Sequence, residues 1–285
     1  MKAPKRLQPL LEDGLIDEVI HPLMSGKEAD VFVVRCGGVL RCAKVYKEAR
    51  SRSFKKAAQY TEGRKVRNSR RARAMEKGSR FGRQQQEETW HNAEVDALYR
   101  LARADVRVPE PFGCTDGVLI MELVTDEAGD VAPRLSEVTM SAEQAREDHA
   151  MMMQYVMRML CAGLIHGDLS EFNILVDEDG PVIIDLPQAV DAASNNNAQA
   201  MLKRDVKTVT DYYALFAPDL SGRYDAEEMW SVFEDGDLHP DYALTGSFVP
   251  DAADADVDAV MLEIKAALEE EEERLERLRA DEQDE

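Results

Sequence analysis

The chain of 285 residues carries 35 Lys+Arg against 56 Asp+Glu, a formal charge of −21, and 44% of its residues are hydrophobic. That apolar content supplies one large domain or two lobes with cores of their own, which excludes wholesale disorder and any need for a stapling disulfide or structural metal. Four cysteines (Cys36, Cys42, Cys114 and Cys161) lack zinc or disulfide spacing and read as reduced, mostly buried thiols, and no run approaches the roughly 20 apolar residues of a membrane span, so a cytoplasmic protein without membrane contact is expected.

In chain order, a short helical opening is expected around residues 7–18. Asp30 to Cys36 and Val39 to Tyr46 then read as strands around Gly37-Gly38, a two-residue hairpin signal that starts an antiparallel sheet. Residues 47–83 hold 14 Lys+Arg against Glu48, Glu62 and Glu76, a basic island whose plainest reading is a solvated loop. From Glu87 to Arg103 the apolar residues Trp90, Ala93, Ala97, Leu98 and Leu101 recur at helical spacing, and Glu94 falls on that inward stripe. A carboxylate there is costly unless it meets a cation, so Glu94 demands a Lys or Arg partner from elsewhere in the chain.

Val118 to Met121 reads as a buried strand. Met140 to Leu164 reads as a helix in which Met151, Met152 and Met153 fill core. Residues 251–285 hold 15 acids against Lys265, Arg274, Arg277 and Arg279, with a narrow apolar seam of Val257, Met261, Ile264, Leu268, Leu275 and Leu278 interrupted by Glu271. An acidic helical tail is expected there, packing on its own lobe or fraying. The acidic body repels nucleic acid, so no DNA contact is expected and any phosphate-backbone contact falls to the basic island.

Chemistry concentrates between His166 and Gln188. Ile174 to Val176 and Val182 to Ile184 are short apolar strands joined through Asp177-Glu-Asp-Gly180. A hairpin centred near Asp179 makes Asn173 and Asp185 cross-strand neighbours, about 4.5 to 5.5 Å apart at Cα. An amide oxygen and a carboxylate so placed could hold one hard cation, and magnesium with phosphate is the natural pair. Asp168, in a polar turn just before Asn173, is close enough to orient or deprotonate a hydroxyl attacking a metal-bound phosphate. Simple hairpin capping is the bland alternative; three oxygen-bearing side chains converging on one mouth weigh against it.

His166-Gly-Asp-Leu-Ser-Glu-Phe-Asn-Ile-Leu175 together with Ile184-Asp-Leu-Pro-Gln188 resembles the RIO family of atypical protein kinases. Ser25-Gly-Lys-Glu-Ala29 is similar to that family's phosphate loop, Cys42-Ala-Lys-Val-Tyr-Lys47 to its lysine strand, and Thr89-Trp-His-Asn-Ala-Glu94 to its first large helix. Met121-Glu-Leu-Val124 is similar to its hinge and Pro133-Arg-Leu135 to the motif that follows. The resemblance implies an α+β, two-lobed protein-kinase-like fold without an activation segment or peptide-docking helices. Residues 1–122 would form an N-terminal lobe of antiparallel sheet plus helix with a basic insertion at 47–86. Residues 123–250 would form a mainly helical catalytic lobe, and 251–285 the acidic helical tail.

It further implies ATP as cofactor with Mg2+, or Mn2+ in its place. Lys44 would contact the α and β phosphates with Glu94 holding it. Asn173 and Asp185 would bind the divalent ion, and Asp168 would serve as catalytic base. Glu122 and Val124 would offer backbone groups to adenine. Ser25, Gly26, Lys27, Glu28 and Ala29, through to Asp30, would close over the triphosphate by their amides. This is not a Walker loop, for Gly26-Lys27 lacks the upstream glycine and the following Ser/Thr. Gly167 stands where many protein kinases carry an arginine that reads a phosphorylated activation loop, and Leu-Pro-Gln follows Asp185 in place of Phe-Gly.

The reaction implied is phosphoryl transfer to serine of an unknown protein, the chain itself included, with Ser51, Ser53, Tyr60, Thr61, Ser69 and Ser79 of the island as autophosphorylation positions. Docking of a ribonucleoprotein through the island is the second expectation, although only Phe54, Tyr60 and Phe81 could stack bases. The resemblance also admits a nucleotide-gated ATPase switch in ribosome assembly, with Asp185 as transient phosphate acceptor. Small-molecule phosphotransferases share the His-Gly-Asp-x-x-x-x-Asn run and remain the chemical rival, but lack the island and the Pro133-Arg-Leu135 arrangement.

Overall fold

The structure is a computed structural model that describes residues 4–26, 29–47 and 93–249. Lys27, Glu28, most of the basic island, the start of the Glu87 to Arg103 helix and the acidic tail fall outside these residues.

A five-residue helix, α1 (Gln8–Glu12), precedes strands β1 (Glu18–Ser25), β2 (Ala29–Cys36) and β3 (Val39–Tyr46). Helix α2 covers residues 93–102. Strands β4 (Pro111–Thr115) and β5 (Val118–Glu122) complete an antiparallel sheet of order β1-β2-β3-β5-β4. Gly37 and Gly38 have φ of 56° and 82°, the left-handed pair that a tight hairpin between β2 and β3 requires. The helix expected through residue 18 stops at Glu12, and a strand begins at Glu18. Pro22 and two register shifts against β2 hide β1 from a period-two reading. Such a strand is tolerated because β1 lies at the sheet's edge.

The sheet positions the chemistry by alternation. Ala43 and Val45 join Val34 and Val118 in a cluster closed by Leu7, Leu10 and Ile16 around α1. Lys44 and Tyr46, one residue out of phase, therefore point to the other face, where α2 presents Glu94.

Beyond β5 the chain is mainly helical. A 3-10 turn at Leu135–Glu137 leads to α3 (Ala142–Cys161), capped by Ser141 Oγ accepting from Gln144 N–H at 3.1 Å. The helix expected to reach Leu164 ends at Cys161, because Gly163 takes φ 72° and Leu164–Ile165 form a short strand, β6. Strands β7 (Ile174–Asp177), β8 (Gly180–Ile183) and β9 (Val190–Asp191) follow, then α4 (Ala198–Ala214), a 3-10 turn at Pro218–Leu220 and α5 (Asp225–Glu234). Only residues 192–197 separate β9 from α4, which leaves no room for an activation segment.

Met152, Met153, Met157 and Met159 pack with Leu160, Ile174, Ile183 and Val209 in the larger core. Of the four cysteines, all free, only Cys42 is buried. Cys114 on β4 is exposed, correcting the expectation of mostly buried thiols. No helix among the described residues is long and apolar enough to cross a membrane.

Where α3 packs on α4, buried His149 shares a 2.9 Å hydrogen bond with Thr210 Oγ1. Burial pushes the ring down to about 4, with Asp225 opposing and Arg223 assisting. The folded value lies below the unfolded value of about 6.5, so the unfolded chain binds the extra proton. This contribution to stability is complete above about pH 6.5 and lost as pH falls toward 4. Urea unfolding at pH 7 and 4.5 is expected to show a loss, of which His149→Gln removes on the order of 2 kcal/mol.

Candidate active site

The side chain of Lys44 lies at the meeting point of strand, helix and hairpin. Its Nζ donates to Glu94 Oε1 at 2.6 Å and to Asp185 Oδ1 at 2.8 Å. The cation that Glu94 demanded is therefore Lys44, and the pair is buried, Glu94 being only 3% exposed. Burial alone would push the Lys44 ammonium down, but the Glu94 and Asp185 carboxylates more than reverse it. Tyr46 OH donates to the other Glu94 oxygen at 2.5 Å, so both oxygens of that carboxylate are engaged. Sequence reasoning missed Tyr46, although its period-two spacing from Lys44 places it on the same face.

The β7–β8 hairpin corrects one expectation. Its register pairs Ile174 with Ile183 and Asp177 with Gly180, so the turn is Glu178-Asp179 and the centre lies half a residue earlier than expected. Asn173 therefore faces Ile184, whose N–H donates to Asn173 O at 3.0 Å, and Asp185 stands one residue past the pair. Continued as strand, Asp185 would present its side chain to the opposite face. Instead it adopts φ 65°, breaking the strand, and its carboxylate reaches Lys44. A non-glycine residue in this conformation is held there by its surroundings, as is common where geometry serves a site. Desolvation in the cleft pushes the Asp185 carboxyl up, and the Lys44 charge and hydrogen bond more than reverse it.

Asp168 is exposed and stands between two residues fixed by one buried carboxylate. Asp205 Oδ2 accepts from Gly167 N–H at 2.7 Å and Oδ1 from Leu169 N–H at 3.3 Å, while Arg204 Nη2 donates to Gly167 O. Burial pushes the Asp205 carboxyl up, opposed by Arg204 and the two amides. The neighbouring imidazole has a defined tautomer. His166 Nδ1 must accept from Asp168 N–H (3.2 Å), and Nε2–H must donate to Ile184 O (3.0 Å), because an amide can only donate and a carbonyl only accept. His166 thus ties the loop bearing Asp168 to the segment bearing Asp185. Gln188 Nε2 donates to Asp168 Oδ2 at 3.2 Å, and Asn173 Nδ2 donates to Asp168 O at 2.8 Å. That last bond turns the Asn173 amide so that its nitrogen is committed and its oxygen left as the acceptor.

Two further stitches hold the cleft. Lys47 Nζ contacts Ser25 Oγ at 3.0 Å, Gly26 O at 2.8 Å and Asp30 Oδ1 at 2.8 Å, binding both ends of the loop between β1 and β2. Gly26 N–H also closes on Ala29 O at 2.9 Å. Burial pushes the Asp30 carboxyl up, but hydrogen bonds from Lys47 and Ser25 hold it below its usual value. At the β5 end, Arg107 pairs bidentately with Glu122, both bonds at 2.8 Å, and reaches Asp177 in the hairpin at 2.7 Å. The Glu122 side chain is thus taken up by a scaffold and its N–H donates to Glu110 O at 2.8 Å, so its carbonyl is what it could offer a ligand. Val124 is buried, and its carbonyl accepts from Ala132 N–H at 3.0 Å.

Among the described candidates, Lys44, Glu94 and Asp185 are in direct contact, as are Asp168 and Asn173. Main-chain pairing of Asn173 with Ile184 joins the two groups. Among the described residues, no cluster of three or more His, Cys, Asp or Glu suggests an all-protein metal cage. A charged carboxylate and an amide oxygen are instead the hard, incomplete donor set that suits a magnesium ion sharing its shell with water and phosphate.

The sequence matches the RIO domain over residues 30–227. It is 36% identical over 214 residues to the RIO-type serine/threonine-protein kinase Rio1 of Haloferax volcanii, covering 75% of this chain and 69% of that one. It is 32% identical over 206 residues to the human serine/threonine-protein kinase RIO1, covering 72% of this chain but only 34% of the human protein. Among solved structures, the Rio2 kinase-ADP/Mg2+-phosphoaspartate complex from Chaetomium thermophilum aligns with a TM-score of 0.56 at 22% identity, over 92% of this chain and 75% of that one, which supports the two-lobed kinase-like fold. With the motifs in order along the chain and the lysine, glutamate and aspartate of the cleft in contact, the chain belongs to the RIO family of serine/threonine-protein kinases.

Proposed function

We propose that this chain transfers the γ-phosphoryl group of ATP to a serine hydroxyl of protein, itself included, in the cleft between a lobe ending near Glu122 and a lobe beginning near Leu123. The observation that carries this reading is the Glu94–Lys44–Asp185 chain of contacts at 2.6 and 2.8 Å, which aims a buried ammonium at the acid expected to face the metal. Asn173 and Asp185 would hold Mg2+, or Mn2+ in its place, and the bound ion would neutralise charge building on the transferring group. Glu94, held by Tyr46, fixes Lys44 so that its ammonium can exchange Asp185 for the α and β phosphates. Asp168 orients the incoming serine hydroxyl and accepts its proton, with Gln188 and Asn173 restricting its position. The Glu122 and Val124 backbones receive adenine. The loop from Ser25 to Asp30 closes over the triphosphate, stitched by Lys47.

A second reading is supported by the half-exposed carboxylate of Asp185 beside Lys44 and by the phosphoaspartate of the Chaetomium Rio2 complex. In that reading Asp185 accepts the phosphoryl group and water releases it, so the protein acts as an ATPase switch. Contact with a ribonucleoprotein through the basic insertion belongs to this reading as its partner.

Incubation of the purified chain with γ-labelled ATP and Mg2+, following free and protein-bound phosphate together, tests both. Label on serine, stable to acid, supports the kinase. Free phosphate with an acid-stable, hydroxylamine-sensitive adduct lost in Asp185→Asn supports the switch. Label in a small organic product, or no turnover of ATP, contradicts both.

A further inference from the structure

Arg134 follows Pro133 at the entry to the 3-10 turn Leu135–Glu137, and its backbone is anchored on both sides. Its N–H donates to Glu137 Oε2 at 3.1 Å, its carbonyl accepts from Glu137 N–H at 2.9 Å, and it bridges to Leu175 on β7. From that fixed base the side chain crosses to the sheet, where Nη2 donates to Met24 Sδ at 3.1 Å. Met24 lies on β1, immediately before Ser25 at the start of the phosphate loop.

A thioether sulfur is a weak acceptor, whereas a guanidinium is a strong planar donor whose fork matches phosphate and carboxylate oxygens. This contact therefore sets a strong donor against a poor acceptor, at the edge of the cleft and across its two walls. Arg134 thus spans from the strand wall that carries Leu175 to the residue immediately before the phosphate loop.

We infer that Arg134 is a nucleotide-binding residue, which exchanges the Met24 sulfur for a phosphate oxygen of the bound nucleotide and so supplies a protein cation in addition to Lys44. The exchange replaces a weak hydrogen bond by a charge-assisted one and draws the 3-10 turn toward the triphosphate. This rests on the reading of the cleft as a nucleotide site. Its consequence is specific: the interaction grows with the phosphates on the ligand and is absent for adenosine.

The test is calorimetric titration of the full chain with adenosine, AMP, ADP and ATP in the presence of Mg2+, comparing the natural sequence with Arg134→Met and Arg134→Lys. Arg134→Met is expected to weaken ATP about tenfold or more, in line with loss of a charged hydrogen bond, while adenosine stays within about twofold. Arg134→Lys is expected to recover part of the ATP affinity, having the charge without the fork. Equal weakening of adenosine and ATP would make Arg134 a structural tie at the cleft mouth and overturn the inference, as would unchanged ATP binding in Arg134→Met. A natural chain that binds adenosine and ATP alike, or neither, overturns the nucleotide reading itself and this inference with it.

Discussion

Lys44→Met is expected to lower phosphoryl transfer about a hundredfold or more and to destabilise the fold by about 3 kcal/mol. The two losses have different origins. The first follows from removing the ammonium that meets the phosphates. The second follows from leaving the Glu94 carboxylate, 3% exposed, without its cation and held, among the described residues, by Tyr46. Glu94→Gln should be milder in stability, because Lys44 keeps Asp185 as partner at 2.8 Å. The double variant Lys44→Met/Glu94→Gln, which buries no unpaired charge, is expected to recover much of the stability and none of the activity. Urea unfolding beside label transfer on the four proteins checks this. Additive losses in the double variant would mean that the pair is not the buried unit described.

Asp205→Ala is the second substitution with a large expected effect, although Asp205 approaches no substrate. It removes the carboxylate that accepts from the buried Gly167 and Leu169 amides, a loss on the order of 1–3 kcal/mol for each bond. Those amides flank Asp168, so the base loses its fixed position as well as the fold its stability. The expected kinetic result is a fall in kcat of about tenfold or more with KM for ATP little changed, since the groups that meet the nucleotide are elsewhere. Asp205→Asn, which keeps one acceptor oxygen, should lie between. A loss confined to KM would contradict a positioning role on Asp168.

These two acids show how much of the site was legible. Glu94 was found because a carboxylate on an apolar stripe asks for a cation, and Lys44 provides it. Asp205 sits on the inward stripe of α4, with Met201, Leu202, Val206 and Val209 buried around it, so the same reasoning flags it as a buried acid. Its partners are main-chain amides, which no residue type announces, so its function could not have been assigned from sequence. Arg107 is similar, a lone cation between Val106 and Val108 whose three bonds to Glu122 and Asp177 depend on three separate segments meeting.

The fold was legible where periodicity and turn chemistry agree, as at Gly37-Gly38. It was obscured at β1, where Pro22 and two register shifts break the alternation. The β7–β8 hairpin was recognised but its register was off. Gly180, with φ 119° and a Met151 methyl 2.6 Å from where a Cβ would lie, belongs to the strand opposite Asp177 and not to the turn. The Asp185 carboxylate is thus aimed at Lys44 by a left-handed residue after the hairpin, a route that counting along the strands could not supply.

The central claim is that Lys44, Glu94, Asp168, Asn173 and Asp185 surround the triphosphate of one nucleotide. A crystal structure of the chain with Mg2+ and a non-hydrolysable ATP analogue tests it most directly. The account predicts the ion on Asn173 Oδ1 and Asp185, Lys44 Nζ moved from Asp185 to phosphate oxygens while keeping Glu94, and Asp168 facing the γ-phosphate. A nucleotide bound elsewhere, or one bound in the cleft with Lys44 still on Asp185 and the ion on other residues, would contradict it.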